Sequence, residues 1–115
     1  MSDCIFCRIA AGEIPCQKVF EDADVVAFKD IYPKAPMHVL IIPKKHIATL
    51  SDVAPEDTAL LGKLLALAPT IAAGQGSPDG FRTIINTGRV GGQEVYHLHI
   101  HVLGGDTQLP AMLKY

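Results

Sequence analysis

Tyr96-His97-Leu98-His99-Ile100-His101-Val102-Leu103-Gly104-Gly105 places three of the chain's five histidines at strict two-residue spacing. In an extended strand, successive side chains point to opposite faces and alternate ones lie about 6.7 Å apart along one face. That reading puts His97, His99 and His101 on one face and buries Leu98, Ile100 and Val102 on the other. A helix cannot gather the three imidazoles, because residues two apart do not face each other there. An imidazole row suits three tasks: holding a metal, sharing protons, or presenting one imidazole as a nucleophile supported by the others. A lone histidine is more often a satisfied core residue. Three in register before Gly104-Gly105 mark the functional centre.

A strand of this kind needs a sheet, and the rest of the chain supplies one. Lys18–Glu21 and Val25–Lys29 read as short strands joined at Asp22-Ala23-Asp24, and Pro33 and Pro36 precede a β-prone run from His38 to Pro43. Residues 81–86 and 97–103 read as two further strands, joined by a loop from Thr87 to Tyr96. The best helix runs from Pro55 to Ala73, with Pro55 at the first position, Glu56 and Asp57 in the first turn and Gly74 closing the end. Leu60, Leu61, Leu64, Leu65, Ala68 and Ile71 form its apolar stripe, and Pro69 is expected to kink it or end it early. Cys4–Ala11 carries a shorter stripe ended by Gly12. The fold class is α+β: about five antiparallel strands, one long helix on one face and a short N-terminal helix.

At 115 residues, with 49% apolar and 19% charged positions, the chain reads as a single domain, residues 1–115, with one core. A net charge of −2 offers no basic footprint for nucleic acid or an anionic membrane, so a charged small molecule is the expected partner. Ala59–Gly74 is too short to span a bilayer and carries Lys63 and Pro69. The opening Met1-Ser2-Asp3-Cys4 lacks the basic and apolar regions of a secretory leader, so the expected compartment is the cytoplasm. Two of the three cysteines form Cys4-Ile5-Phe6-Cys7, which there reads as metal or redox before disulfide.

Spacing alone leaves two readings of that pair. It is half of a zinc site whose other ligands are His46, of Pro43-Lys-Lys-His46, and His97; or it is a pair of small hydrophobes on an amphipathic helix. Cys16 reads as structural. Gly88, Gly91 and Gly92, followed by Gln93 and Glu94, read either as a plain turn or as amides that cradle an anion. Asp30, at the end of a strand, suits either a turn or the capture of two ribose hydroxyls.

His97-Leu-His99-Ile-His101-Val-Leu103, with Gly91-Gly92-Gln93 upstream, resembles the motif of the histidine triad (HIT) family. Ile5-Phe6, Glu13-Ile14-Pro15, Phe28-Lys29-Asp30-Ile31, Ala35-Pro36-Met37-His38 and Ile41-Ile42-Pro43-Lys44-Lys45-His46 resemble its Hint branch, in order and over nearly the whole chain. The resemblance implies a HIT-like fold and a homodimeric hydrolase that cleaves the phosphorus–nitrogen bond of adenosine 5′-phosphoramidates and releases AMP. It implies His99 as the nucleophile, His101 at the phosphate and the leaving-group proton, His38 in the proton network, and His97 beside them. It implies Asp30 on the ribose, Ile5, Phe6, Ile9 and Ile31 around the base, and Asn86 with the amides of Gly92 and Gln93 on the phosphate. Bacterial members with an N-terminal Cys-x-x-Cys imply zinc on Cys4, Cys7, His46 and His97, which takes His97 out of proton transfer.

Three positions depart from the family pattern. Glu94 stands where many relatives have a phosphate-contacting serine, and a carboxylate there is expected to point away. Lys29 replaces a histidine, and the tail from Thr107 to Tyr115 lacks the Trp-Pro ending of animal relatives. Competing functions are a dinucleoside polyphosphate hydrolase, a non-catalytic nucleotide- or zinc-binding module, and a metalloenzyme with the triad itself as ligands.

Overall fold

The run Met37-His-Val-Leu-Ile-Ile-Pro43 is buried at every position and forms β3, the middle strand of a five-stranded sheet. The computed structural model describes residues 3–113. On either side of β3 lie β2 (Val25–Lys29) and β5 (Ile100–Gly104), with β1 (Lys18–Glu21) and β4 (Arg82–Ile84) at the edges. All neighbours are antiparallel, in the order β1-β2-β3-β5-β4. Asp22 makes the first hairpin turn, its Oδ1 accepting from the amides of Asp24 and Val25 at 2.8 and 2.9 Å.

Alternation along these strands builds two cores. Val25, Ala27, Val39, Ile41, Ile100 and Val102 pack beneath Leu64, Ala68, Ile71 and Ala72 of α2 (Thr58–Gly74). On the other face Val26, Phe28, Leu40 and Ile42 receive Phe6 and Ile9 of α1 (Ile5–Ala10). His101 lies directly across from Leu40 on one side and Ile84 on the other, so β5 turns it toward the α1 face.

The elements differ from the sequence reading at their ends. The histidine strand begins at Ile100, not His97, because the position facing Leu98 in this register is Pro43, which has no N–H to continue the ladder. Leu98 instead donates to the Ile47 carbonyl at 2.6 Å. Likewise β4 is shorter than residues 81–86. Pro55–Asp57 is a 3-10 turn leading into α2. Pro69 does not end α2 early: the helix runs on to Gly74, and Pro69 and Leu65 lie on its exposed side, where water can meet the carbonyl that loses its donor. Leu65 is therefore not in the core. The end is made by Gly76, at φ 96°, where the Ser77 amide reaches back to the Ala72 carbonyl at 2.9 Å.

Candidate active site

His99 sits just before β5, buried against Phe6, whose ring meets it edge-on at 5.2 Å. Its Nδ1 lies 2.7 Å from the His97 carbonyl oxygen. A carbonyl only accepts, so Nδ1 carries the proton and the lone pair belongs to Nε2. One backbone contact thus fixes the tautomer an imidazole nucleophile needs.

His101, 5.0 Å from His99 ring to ring, belongs to a second chain of bonds. The Lys34 amide donates to His38 Nδ1 at 3.0 Å, which leaves the His38 proton on Nε2. That proton is donated to His101 Nδ1, 2.9 Å away, so His101 carries its own on Nε2. Burial, reinforced by the neighbouring His99 and His38 and opposed by Asp30, holds the His101 pKa down to about 4. Burial also lowers that of His38, against the attraction of Asp30. Both rings are neutral at pH 7. Asp30 makes the turn open to it in sequence, its Oδ1 accepting from the Tyr32 amide at 2.8 Å, and its Oδ2 lies 3.5 Å from His38 Nε2.

His97 faces elsewhere. Fully buried, it donates from Nε2 to the Pro43 carbonyl at 2.7 Å, which aims the Nδ1 lone pair at the cysteines. Nδ1 is 3.3 Å from Cys4 Sγ, 3.5 Å from Cys7 Sγ and 3.2 Å from His46 Nδ1, and His46 Nδ1 is 3.2 Å from Cys7 Sγ. Donor atoms of these four residues all lie within 4.8 Å of one another, close enough to hold one metal ion. With both ring nitrogens engaged, His97 meets His99 through its carbonyl and has no ring nitrogen left for proton transfer.

The other expected residues are placed less uniformly. Phe6 and Ile9 are buried in the second core, whereas Ile5 and Ile31 present open apolar surface. Asn86 is half-buried beyond β4, and Glu94 is exposed. The Gly92 and Gln93 amides, expected to meet a phosphate, are taken up by the loop itself, donating to Arg89 and Gly88 carbonyls at 3.2 and 3.0 Å. The Gln93 side chain is a brace, accepting from the Gly88 amide and donating to the Ala48 and Val95 carbonyls. Sequence reasoning missed this brace, the Lys34 amide and the Pro43 carbonyl, because backbone donors and acceptors leave no residue-type signature.

Residues 11–108 match the family model for the HIT domain. The chain is 58% identical to Protein HitA of Neisseria gonorrhoeae over 104 residues, covering 90% of this chain and 97% of that protein. A HIT family hydrolase from Legionella pneumophila Philadelphia 1 superposes with a TM-score of 0.87 at 52% identity, over 91% of this chain and 95% of the other. A histidine triad protein from Clostridium difficile superposes at 0.91 with 45% identity, over 98% of both chains.

Proposed function

Since the chain belongs to the HIT family, we propose that it is a nucleotide hydrolase of the Hint type. It cleaves the phosphorus–nitrogen bond of adenosine 5′-phosphoramidates and releases AMP. The observation that carries this reading is the His99 Nδ1–H bond to the His97 carbonyl, which in the neutral ring puts the lone pair on Nε2. In the first half-reaction His99 Nε2 attacks the α-phosphorus and the P–N bond breaks. The leaving amine takes its proton from water, while the neutral His101, whose Nδ1 is held by the His38 proton, keeps its own and directs its Nε2–H at the phosphoryl oxygens. Water then cleaves the nucleotidyl-histidine, freeing AMP. Asp30 holds the ribose, Ile5, Phe6, Ile9 and Ile31 enclose the purine, and Asn86 with the braced loop around Gly92 and Gln93 bounds the phosphate.

The metal set suits zinc. Tetrahedral zinc with sulfur at about 2.3 Å and nitrogen at about 2.0–2.1 Å has ligand–ligand edges of roughly 3.3–3.8 Å. The separations here, 3.2 to 3.5 Å, nearly match. Cys4, Cys7, His46 and His97 would hold the ion in a closed structural site, where it supplies cross-linking of α1 to the base of the histidine segment. The protein acts as a homodimer in the cytoplasm, without nucleic acid or membrane; among the described residues no helix is long and apolar enough to cross a bilayer.

Turnover of adenosine phosphoramidate beside diadenosine tetraphosphate tests the reading. Preference for the phosphoramidate, with a nucleotide trapped on His99, is the expected result. Preference for the tetraphosphate transfers the chain to the dinucleoside polyphosphate hydrolases. AMP binding without turnover of either makes it a binding module.

A further inference from the structure

We propose that Cys4 and Cys7 are a reversible thiol–disulfide modification site that sets how firmly α1 closes the nucleotide pocket. This rests on the nucleotide reading above. At six residues α1 is far below the length at which a helix persists alone. Among the described residues, the backbone hydrogen bonds of the segment from 3 to 16 stay within it, as does the Arg8–Glu13 ion pair. Its polar contacts with the rest of the fold run through the Cys4 and Cys7 sulfurs to His46 and His97.

Between those sulfurs sits Phe6, which touches His97 at 6.0 Å and His99 at 5.2 Å ring to ring. The same two sulfurs therefore hold the pocket wall and the histidine segment together. They are also reachable: both cysteines are half-buried, and His46, beside Cys7, is exposed. Neither cysteine is in a disulfide, and their sulfurs lie within 4.8 Å of each other.

The oxidant is a peroxide. The Cys7 thiolate attacks one peroxide oxygen, the O–O bond breaks, and a sulfenic acid and hydroxide form. The Cys4 thiolate then displaces hydroxide from that sulfur, closing the S–S bond. Two thiolates lose two electrons, and peroxide with two protons becomes two waters. Sulfur committed to the disulfide no longer ligates, so a bound metal would be released and α1 would rest on apolar packing, chiefly that of Phe6 and Ile9.

The test uses the full-length, metal-loaded protein carrying Cys16→Ala, so that only this pair can oxidise. Hydrogen peroxide should remove two hydrogens by mass, with peptide mapping joining Cys4 to Cys7, and release zinc to a dye. Amides of residues 5–10 should exchange faster, and AMP affinity by calorimetry should fall about tenfold or more, all reversed by dithiothreitol. A disulfide that forms with exchange and AMP affinity unchanged overturns the proposal, as does a pair that stays reduced while zinc stays bound. Failure of the reduced protein to bind AMP overturns the nucleotide reading and the control of affinity with it, a result that mass and zinc release keep distinct from failure of the switch.

Discussion

His99 Nδ1 and the His97 carbonyl oxygen are 2.7 Å apart, within a segment whose His97 ring is locked between the Pro43 carbonyl and the cysteines. The tautomer of His99, the proposed nucleophile, is thus set by a residue whose own ring nitrogens are engaged elsewhere. His99→Ala should cut phosphoramidate turnover by about 10³-fold or more, while AMP affinity stays within a few-fold because Asp30 and the apolar walls remain. Single-turnover kinetics and calorimetry check the two halves. Ordinary turnover by the variant sinks the nucleophile assignment.

The period-two pattern in residues 96–105 was enough to place Ile100 and Val102 under α2 and to send His101 to the other face. It could not show where pairing stops, because that depends on Pro43 arriving opposite Leu98. Cys-x-x-Cys, His46 and His97 were legible as donors by type and spacing, and the fold does gather them. The Gly-rich loop was legible as a loop but not in its bonding. Which amides remain for a ligand depends on the turn, and here Gly92 and Gln93 spend theirs internally.

Gly91 gives that loop a sharp test. A Cβ there would lie 2.6 Å from both the nitrogen and the oxygen of Thr87, backbone atoms that cannot swing aside. Gly91→Ala should destabilise the protein by about 1–3 kcal/mol and, with the loop at the phosphate as proposed, weaken AMP binding more than adenosine binding. Urea unfolding and calorimetry read both. Equal losses for the two ligands would place the loop away from the phosphate.

The His101 pKa of about 4 has a consequence for stability. An unfolded imidazole titrates near 6.5, so between pH 6.5 and 4 the unfolded chain binds a proton the native state refuses. This contribution is fully present above pH 6.5 and is lost as pH falls toward 4. It should amount to on the order of 1–2 kcal/mol once screening of the partly exposed ring is allowed for. Urea midpoints at pH 7 and pH 5 should separate more for the wild type than for His101→Asn. Parallel losses would assign the acid sensitivity to other groups, the metal ligands first among them.

Cys4→Ser with Cys7→Ser should lower Tm far more than it lowers the chemical rate constant. The pair anchors α1 at one end of the site, while His38, Asp30 and His101 are held by their own bonds. Loss of a structural metal removes folding free energy directly. Metal analysis of chelator-free wild type should give one zinc per chain, and well under one would count against the site. A variant with unchanged Tm would leave the cysteines as packing groups.

The outer side of β4 is an open sheet edge, and Phe81, just before it, is exposed. Such edges invite pairing, and a two-fold partner covers one with the same strand from a second copy. Beyond β5 the chain runs on with Met112 and Leu113 exposed at 65% and 70%, apolar side chains without cover from their own domain. The expected crossing of the tail, Leu109 to Tyr115, toward the partner's nucleotide site would cover them; its last two residues, Lys114 and Tyr115, lie outside the described residues. If the tail reaches the neighbouring site, it should meet the leaving group and not the purine, which the proposed function sets against α1 and Ile31. Truncation after Asp106 should therefore change selectivity among leaving amines while AMP affinity holds. Light scattering should give a dimer at micromolar concentration, and a fully active monomer there would remove both the pairing and the shared site.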